Sequence, residues 1–264
     1  PFGKVDKILG GAATYIGLAA SRFSLDCGIV SVVGEDFEKE HLALLKDKGI
    51  DVSGVEIVPG GETFFWSGRY HNDLNTRTTL DTRLNVLENF DPKIPDHLST
   101  PDIVMLGNLS PDVQLAALAQ IKNKPKLVVL DTMNFWMDHA RESLDKVIAK
   151  VDVISINDEE ARQLTDQYSL VKAAQIIHEM GPKYVIIKNG EHGALLFHNN
   201  EIFCAPALPL EEVFDPTGAG DSFAGGFTGY LTQTGDISFS NMKSAIIYGS
   251  AMASFTVEKF GTEN

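Results

Sequence analysis

The run Asp215-Pro216-Thr217-Gly218-Ala219-Gly220-Asp221-Ser222-Phe223-Ala224-Gly225-Gly226-Phe227 joins a glycine-rich turn to an apolar, small-residue stretch that reads as a helix. Unpaired backbone N–H groups at a helix start, backed by the positive end of the helix dipole, make a site for an anion. Asp221 stands where that helix begins. A carboxylate placed there repels the anion unless it has a task. The economical task is to take a proton from a hydroxyl that then attacks a bound phosphoryl group. The competing reading is an ordinary helix start, with Asp as cap and glycines for backbone freedom. The turn lacks the lysine of a Walker phosphate loop, so it is not that motif. Ala224-Gly225-Gly226 keeps the helix slim just past the turn, where something must approach closely.

The elements that must position this turn alternate along the chain. Gly28–Val33, Asp102–Leu106, Lys126–Leu130, Val151–Ile156 and Tyr184–Lys188 read as buried strands. Helical patterns lie between them at Ala12–Phe23, Phe37–Lys48, Val113–Lys122, Ala140–Ala149, Glu159–Thr165 and Leu170–Met180. Ala219–Thr232 and Phe239–Val257 close the chain as helices. Strand and helix in alternation predict an α/β fold, a mostly parallel sheet with helices on both faces. Ligands of such sheets bind beyond the carboxyl ends of the strands. The segment Gly54–Leu84 breaks the pattern, reading as short strands Gly54–Val58, Glu62–Tyr70 and Thr76–Thr82. Polar and apolar residues alternate at Thr63–Tyr70, as in a sheet with one face exposed.

Composition narrows the class. The 264 residues are 44% hydrophobic, enough for a substantial core. No apolar run nears the roughly 20 residues of a membrane span, and no signal-peptide pattern opens the sequence. The two cysteines, Cys27 and Cys204, are too few for a disulfide scaffold or an ordinary zinc site. The expected compartment is the cytoplasm. A net charge of −14 argues against nucleic acid as a partner. It leaves room for one nucleotide, which a local cluster of N–H groups can hold.

The Asp215–Phe227 run resembles the C-terminal signature of the ribokinase/PfkB family of carbohydrate and nucleoside kinases. Further pieces agree in the family's order: Gly10-Gly11, Val33-Gly34-Glu35-Asp36, Leu106-Gly107-Asn108, Asp131-Thr132-Met133-Asn134, Asn157-Asp158-Glu159-Glu160 and Lys188-Asn189-Gly190-Glu191-His192-Gly193. Together they span nearly all of the chain. The resemblance implies a single ribokinase-like domain over residues 1–264, with a small β lid inserted at about 52–85. It implies ATP-dependent phosphoryl transfer to a hydroxyl of a small sugar or polyol. A nucleoside kinase of the same family, or a catalytically silent sugar- or nucleotide-binding homologue, is the alternative. A dinucleotide oxidoreductase is set aside, because the early glycine fingerprint with its distant acid is missing.

The same resemblance assigns roles. Asp221 becomes the catalytic base, with Gly218, Ala219 and Gly220 as the anion hole. Asn157, Glu160, Lys188, Gly190, Gly193 and Thr217 border the nucleotide. Glu160 would act on magnesium through water, with Asn157 orienting it; the plain alternative is a helix N-cap. Asp215 and Thr217 hold a monovalent cation, potassium, in some members; the alternative is an Asx or Ser/Thr turn. Gly10, Gly11, Tyr15, Asn108 and Asn134 face the acceptor. His192 reads as a loop residue facing solvent. Arg77, Thr79 and Arg83 sit in or beside the lid, on what is read as a solvated strand face. Phe64, Phe65, Trp66 and Tyr70 could stack on a base, pack the lid, or serve a homodimer through it. The chain also departs from the family. Ala12-Ala13-Thr14-Tyr15 stands where sugar kinases carry Asn, with Tyr15 at the Asn position, so ribose is a poor expectation. The family places a strand bearing a sugar-binding acid before Gly-Gly, whereas this sequence starts at Pro1; the expectation is that the native N-terminal strand is missing from it.

Overall fold

The computed structural model describes residues 3–23, 26–72, 74 and 76–262. Helix α1 (Ala12–Ser21) leads into strand β1 (Cys27–Gly34), and α2 (Lys39–Asp47) returns to β2 (Ile50–Val58). β1 and β2 pair in parallel, and Ile29, Leu45, Ile50 and Val52 form a core between this sheet and its helices. Gly54–Val58, expected as the first lid strand, is therefore the second half of β2, paired from Val30↔Gly54 to Gly34↔Val58. β2 has one strand neighbour among the described residues, and its outer half, with Glu56 and Ile57 exposed, shows the mixed polarity of a sheet edge. The lid sheet is smaller than expected: β3 (Phe65–Tyr70) and β4 (Arg77–Arg83), antiparallel.

From there the alternation holds. The order is β5 (Ile103–Leu106), α3 (Pro111–Leu118), β6 (Leu127–Asp131), α4 (Asn134–His139), α5 (Arg141–Ile148), β7 (Val153–Asn157), α6 (Asp158–Thr165), α7 (Leu170–Met180) and β8 (Tyr184–Lys188). Strands β5 to β8 lie side by side in parallel. The hairpin β9 (Ala194–His198) and β10 (Glu201–Ala205) closes one edge antiparallel, giving the order β10-β9-β8-β7-β6-β5. Helices α8 (Ala219–Thr234) and α9 (Phe239–Val257) follow.

Two faces of this sheet are buried, which is why its central strands are nearly continuous apolar runs. Side chains alternate across them. Val128, Leu130, Ile154, Ile156, Val185 and Ile187 meet Leu144, Ile148, Leu164 and Ile177 of α5, α6 and α7. Leu127, Val129, Val153 and Ile186 point the other way, to Phe223, Phe227, Leu231 and Ile246 of α8 and α9. The slim start of α8 lets helices close in. A Cβ on Gly225 would lie 2.4 Å from the Ile16 carbonyl of α1, and one on Gly226 would lie 2.6 Å from Met252 of α9. Gly235, left-handed at φ 65°, ends α8. Among the described residues no helix is long and apolar enough to cross a membrane.

Candidate active site

Strand parity delivers charged side chains to the start of α8. Asp131 follows Leu127 and Val129 on the α8 side of β6, and Lys188 follows Tyr184 and Ile186 on the same side of β8. Above β7, which runs between them, Lys188 Nζ donates to Asp131 Oδ1 at 3.1 Å, with the side chains 18% and 11% exposed. Burial works against the Lys188 charge, but Asp131 and Glu160 outweigh it and hold the ammonium above its ordinary pKa. A Cβ on Gly220 would fall 3.0 Å from Lys188 Nζ, so the ammonium touches the turn itself.

The turn has the backbone of a helix N-terminus, with one change from the expectation. Gly218, left-handed at φ 79°, accepts from the Ser222 N–H at 2.8 Å and caps α8 with no side-chain bond. The Ala219 N–H, expected to face the anion, is drawn instead by the Pro216 carbonyl at 3.2 Å. Gly218, Gly220 and Asp221 keep N–H groups without a backbone acceptor among the described residues, as the first turn of a helix does. Asp221 is half-buried. Its enclosure first, and then the Asp131 carboxylate, push its pKa up to about 7, against the pull of Lys188. Asp215 is buried and its Oδ1 accepts the Thr217 N–H at 3.0 Å, so the Asx turn is realised.

Glu160 and Asn157 cap α6 reciprocally. Asn157 Oδ1 accepts the Glu160 N–H at 2.7 Å, and Glu160 Oε2 accepts the Asn157 N–H at 2.8 Å. The N-cap reading is thus the one the structure displays, with the Glu160 carboxylate held by the Asn157 backbone N–H. Burial pushes the Glu160 carboxyl up to about 7; Lys188, and more weakly Arg77, favour its ionised form, while Asp131 opposes it. Among the described residues no group of three or more His, Cys, Asp or Glu could hold a metal ion. One capped carboxylate fits magnesium that arrives with phosphates and keeps its waters, not a resident ion.

The lid reaches this turn. Thr217 Oγ1 donates to the Tyr70 hydroxyl at 3.3 Å. Tyr70 lies opposite Arg77 in the β3–β4 register, so the two share a face. Tyr15 packs on the turn as well. It is 4% exposed, and a Cβ on Gly218 would lie 2.5 Å from its ring. Burial, then Asp215 and Asp221, raise the pKa of its phenol.

Other expected residues have partners of their own. Asn108 accepts from the Trp136 Nε1–H at 3.0 Å and donates to Met133 Sδ at 3.1 Å. Asn134 donates to Gln163 Oε1 of α6. Gly11 is the N-cap of α1 at φ 91°, with open space where a Cβ would be, and Gly10 runs past the Tyr15 ring. Gly193 lies where a Cβ would meet the Ala205 carbonyl at 2.0 Å, a contact with β10 that accounts for its lack of a side chain. Gly190 opens a short 3-10 turn with His192, whose imidazole faces Glu191 at 3.6 Å. The sequence reading gave Asp131 no role. The available signal was a carboxylate closing the buried run Leu127-Val128-Val129-Leu130. Trp136 and Gln163, which engage the two asparagines, had no signal of that kind.

The family model for pfkB family carbohydrate kinases matches residues 2–264. The chain is 32% identical to a cytidine kinase of Thermococcus kodakarensis over 231 residues, covering 86% of this chain and 81% of that one. A nucleoside kinase of Methanothermobacter thermautotrophicus is 27% identical, with 98% and 82% covered. The solved nucleoside kinase of Methanocaldococcus jannaschii, an archaeal member of the ribokinase family, superposes with a TM-score of 0.77 at 20% identity, covering 100% of this chain and 88% of that one. The ribokinase-like fold, the lid hairpin and the ordered motifs therefore have one explanation: the chain belongs to the pfkB family of carbohydrate kinases, a family of phosphotransferases.

Proposed function

We propose that this protein transfers the terminal phosphoryl group of ATP to a hydroxyl of a nucleoside, with Asp221 as the base. The observation that carries the reading is the placement of Asp221 in the first turn of α8, beside backbone N–H groups without a backbone acceptor and next to the Lys188–Asp131 pair, in surroundings that push its carboxyl up to about 7. A base with that pKa is matched to work near neutral pH. The N–H groups of Gly218 and Gly220 stabilise charge on the transferring group, and alignment supplies most of the remaining acceleration. When bound, ATP supplies the phosphoryl group, and magnesium beside Glu160 neutralises its charge. Lys188, Thr217 and the Gly190–Gly193 turn border the nucleotide. Potassium, where needed, would be met at Asp215, whose Oδ1 already closes the turn.

A nucleoside replaces the sugar or polyol as the preferred acceptor because two similar relatives are named cytidine kinase and nucleoside kinase. The burial of Tyr15 against Gly218 supports the choice, since a sugar-kinase asparagine is absent there. Asn108 and Asn134 frame the acceptor side with Trp136. Coupled ADP release against cytidine, uridine, adenosine, inosine, ribose, fructose and inositol tests this. Cytidine or another nucleoside should give the highest kcat/KM. A preference for a free sugar removes the nucleoside assignment and leaves the phosphoryl chemistry standing. Near-normal turnover in Asp221→Asn removes the base.

A further inference from the structure

We propose that Asp131 is a positioning residue that holds the Lys188 ammonium against the anion turn, so that this cation meets the phosphoryl group being transferred. The inference rests on the kinase reading above and adds a residue pair to its machinery. Asp131 is otherwise an anomaly. A cleft meant for a triphosphate gains nothing from another carboxylate beside Asp221 and Glu160 unless that carboxylate fixes something positive.

The geometry shows what it fixes. The two side chains come from strands β6 and β8 and meet over β7 at 3.1 Å, both largely buried. The backbone of Asp131 is itself held, its carbonyl accepting from Gln114 Nε2 of α3 at 3.3 Å. Lysine has a flexible four-carbon stem, and without a partner at this depth it would turn to water or shed its proton. Held by Asp131, the ammonium stands at Gly220, the residue before the base, where any side chain would crowd it. A buried ion pair is no strong source of stability, since apolar pairs of similar volume often replace one at no loss. The pair is therefore better explained by what its cation touches than by what it stabilises.

Binding and pH together test the assignment. Lys188→Met and Asp131→Asn are titrated with ATP and with ADP, without acceptor. Loss of a charge-assisted bond to the terminal phosphoryl should weaken ATP by about tenfold or more and ADP far less. Asp131→Asn should erase part of the same preference. The groups that act on Asp221 are Asp131, Lys188, Tyr15 and Tyr70; behind them Glu160 acts on Lys188, Asp215 on both tyrosines, and Arg77 of the lid on Glu160 and Tyr70. Removing the cation should move the acid limb of kcat to higher pH. Removing the Asp131 charge should move it lower. Those shifts follow from proximity to Asp221 alone, whereas a purely structural pair leaves the nucleotide preference untouched, so a wild-type ATP/ADP ratio in both variants overturns the proposal. Should a single variant fail to fold, Asp131→Leu with Lys188→Met restores an apolar pair, and its ATP/ADP ratio decides. If the wild-type protein phosphorylates no acceptor, the kinase reading fails, while the nucleotide titrations still judge the pair.

Discussion

Asp221 and Glu160 are acids whose surroundings favour the neutral form, and this sets the first expectation. A base must be ionised to act, so turnover at saturating substrate should rise with pH through an acid limb near 7 and then level off. An initial-rate profile checks it, and Asp221→Asn should lower the plateau by about a hundredfold to ten-thousandfold while leaving ATP binding in place. Gly218→Ala is a second expectation at this scale. The new methyl would meet the Tyr15 ring at 2.5 Å from a backbone at φ 79°. The turn must then shift, and turnover should fall by at least about tenfold, as misplacement at a catalytic centre does. Asp221 could be placed at a helix start from sequence because its neighbours are consecutive. Asp131 could not, because its partner is 57 residues away and only the sheet brings them together.

The elements repeat this contrast between local and distant information. β5 to β8 and their helices were legible because burial on both faces leaves an apolar run that periodicity detects. Only the outer half of β2, Gly54–Val58, reads as a strand in the sequence, and it is taken for the lid because a strand with one neighbour among the described residues looks like a surface hairpin. β10 carries exposed Glu201 and Ile202, a mixed pattern that announces no core strand. Helix α4 is too short, six residues, for its period to show. Helix α8 was expected to be slim, and its glycines prove to be where α1 and α9 approach. Gly225→Ala should therefore lower stability by about 1–3 kcal/mol through overpacking against Ile16 and Ala19, read as a lower denaturation midpoint with unchanged slope.

At the scale of the whole molecule, the same two acids couple folding to pH. Their folded values, about 7, lie above the ordinary 3.8 and 4.5. The native state thus binds more protons than the unfolded chain between these limits, and stability falls as pH rises. The contribution is complete below about pH 4 and is lost as pH passes through about 7. The unliganded protein should accordingly melt at lower temperature at pH 8 than at pH 6, and Glu160→Gln should flatten part of that slope in a melting series. The lid joins the core at the Thr217–Tyr70 hydroxyl contact. A neutral bond of this kind contributes about 1 kcal/mol net, which is roughly a factor of five in a two-state population. An empty cleft held by such a clasp would breathe freely, admitting cargo and letting product go between cycles. Tighten the clasp and the door becomes the slow step; Tyr70→Phe, by loosening it, should speed departure at some cost in acceptor retention, measured as a higher KM with kcat held or raised.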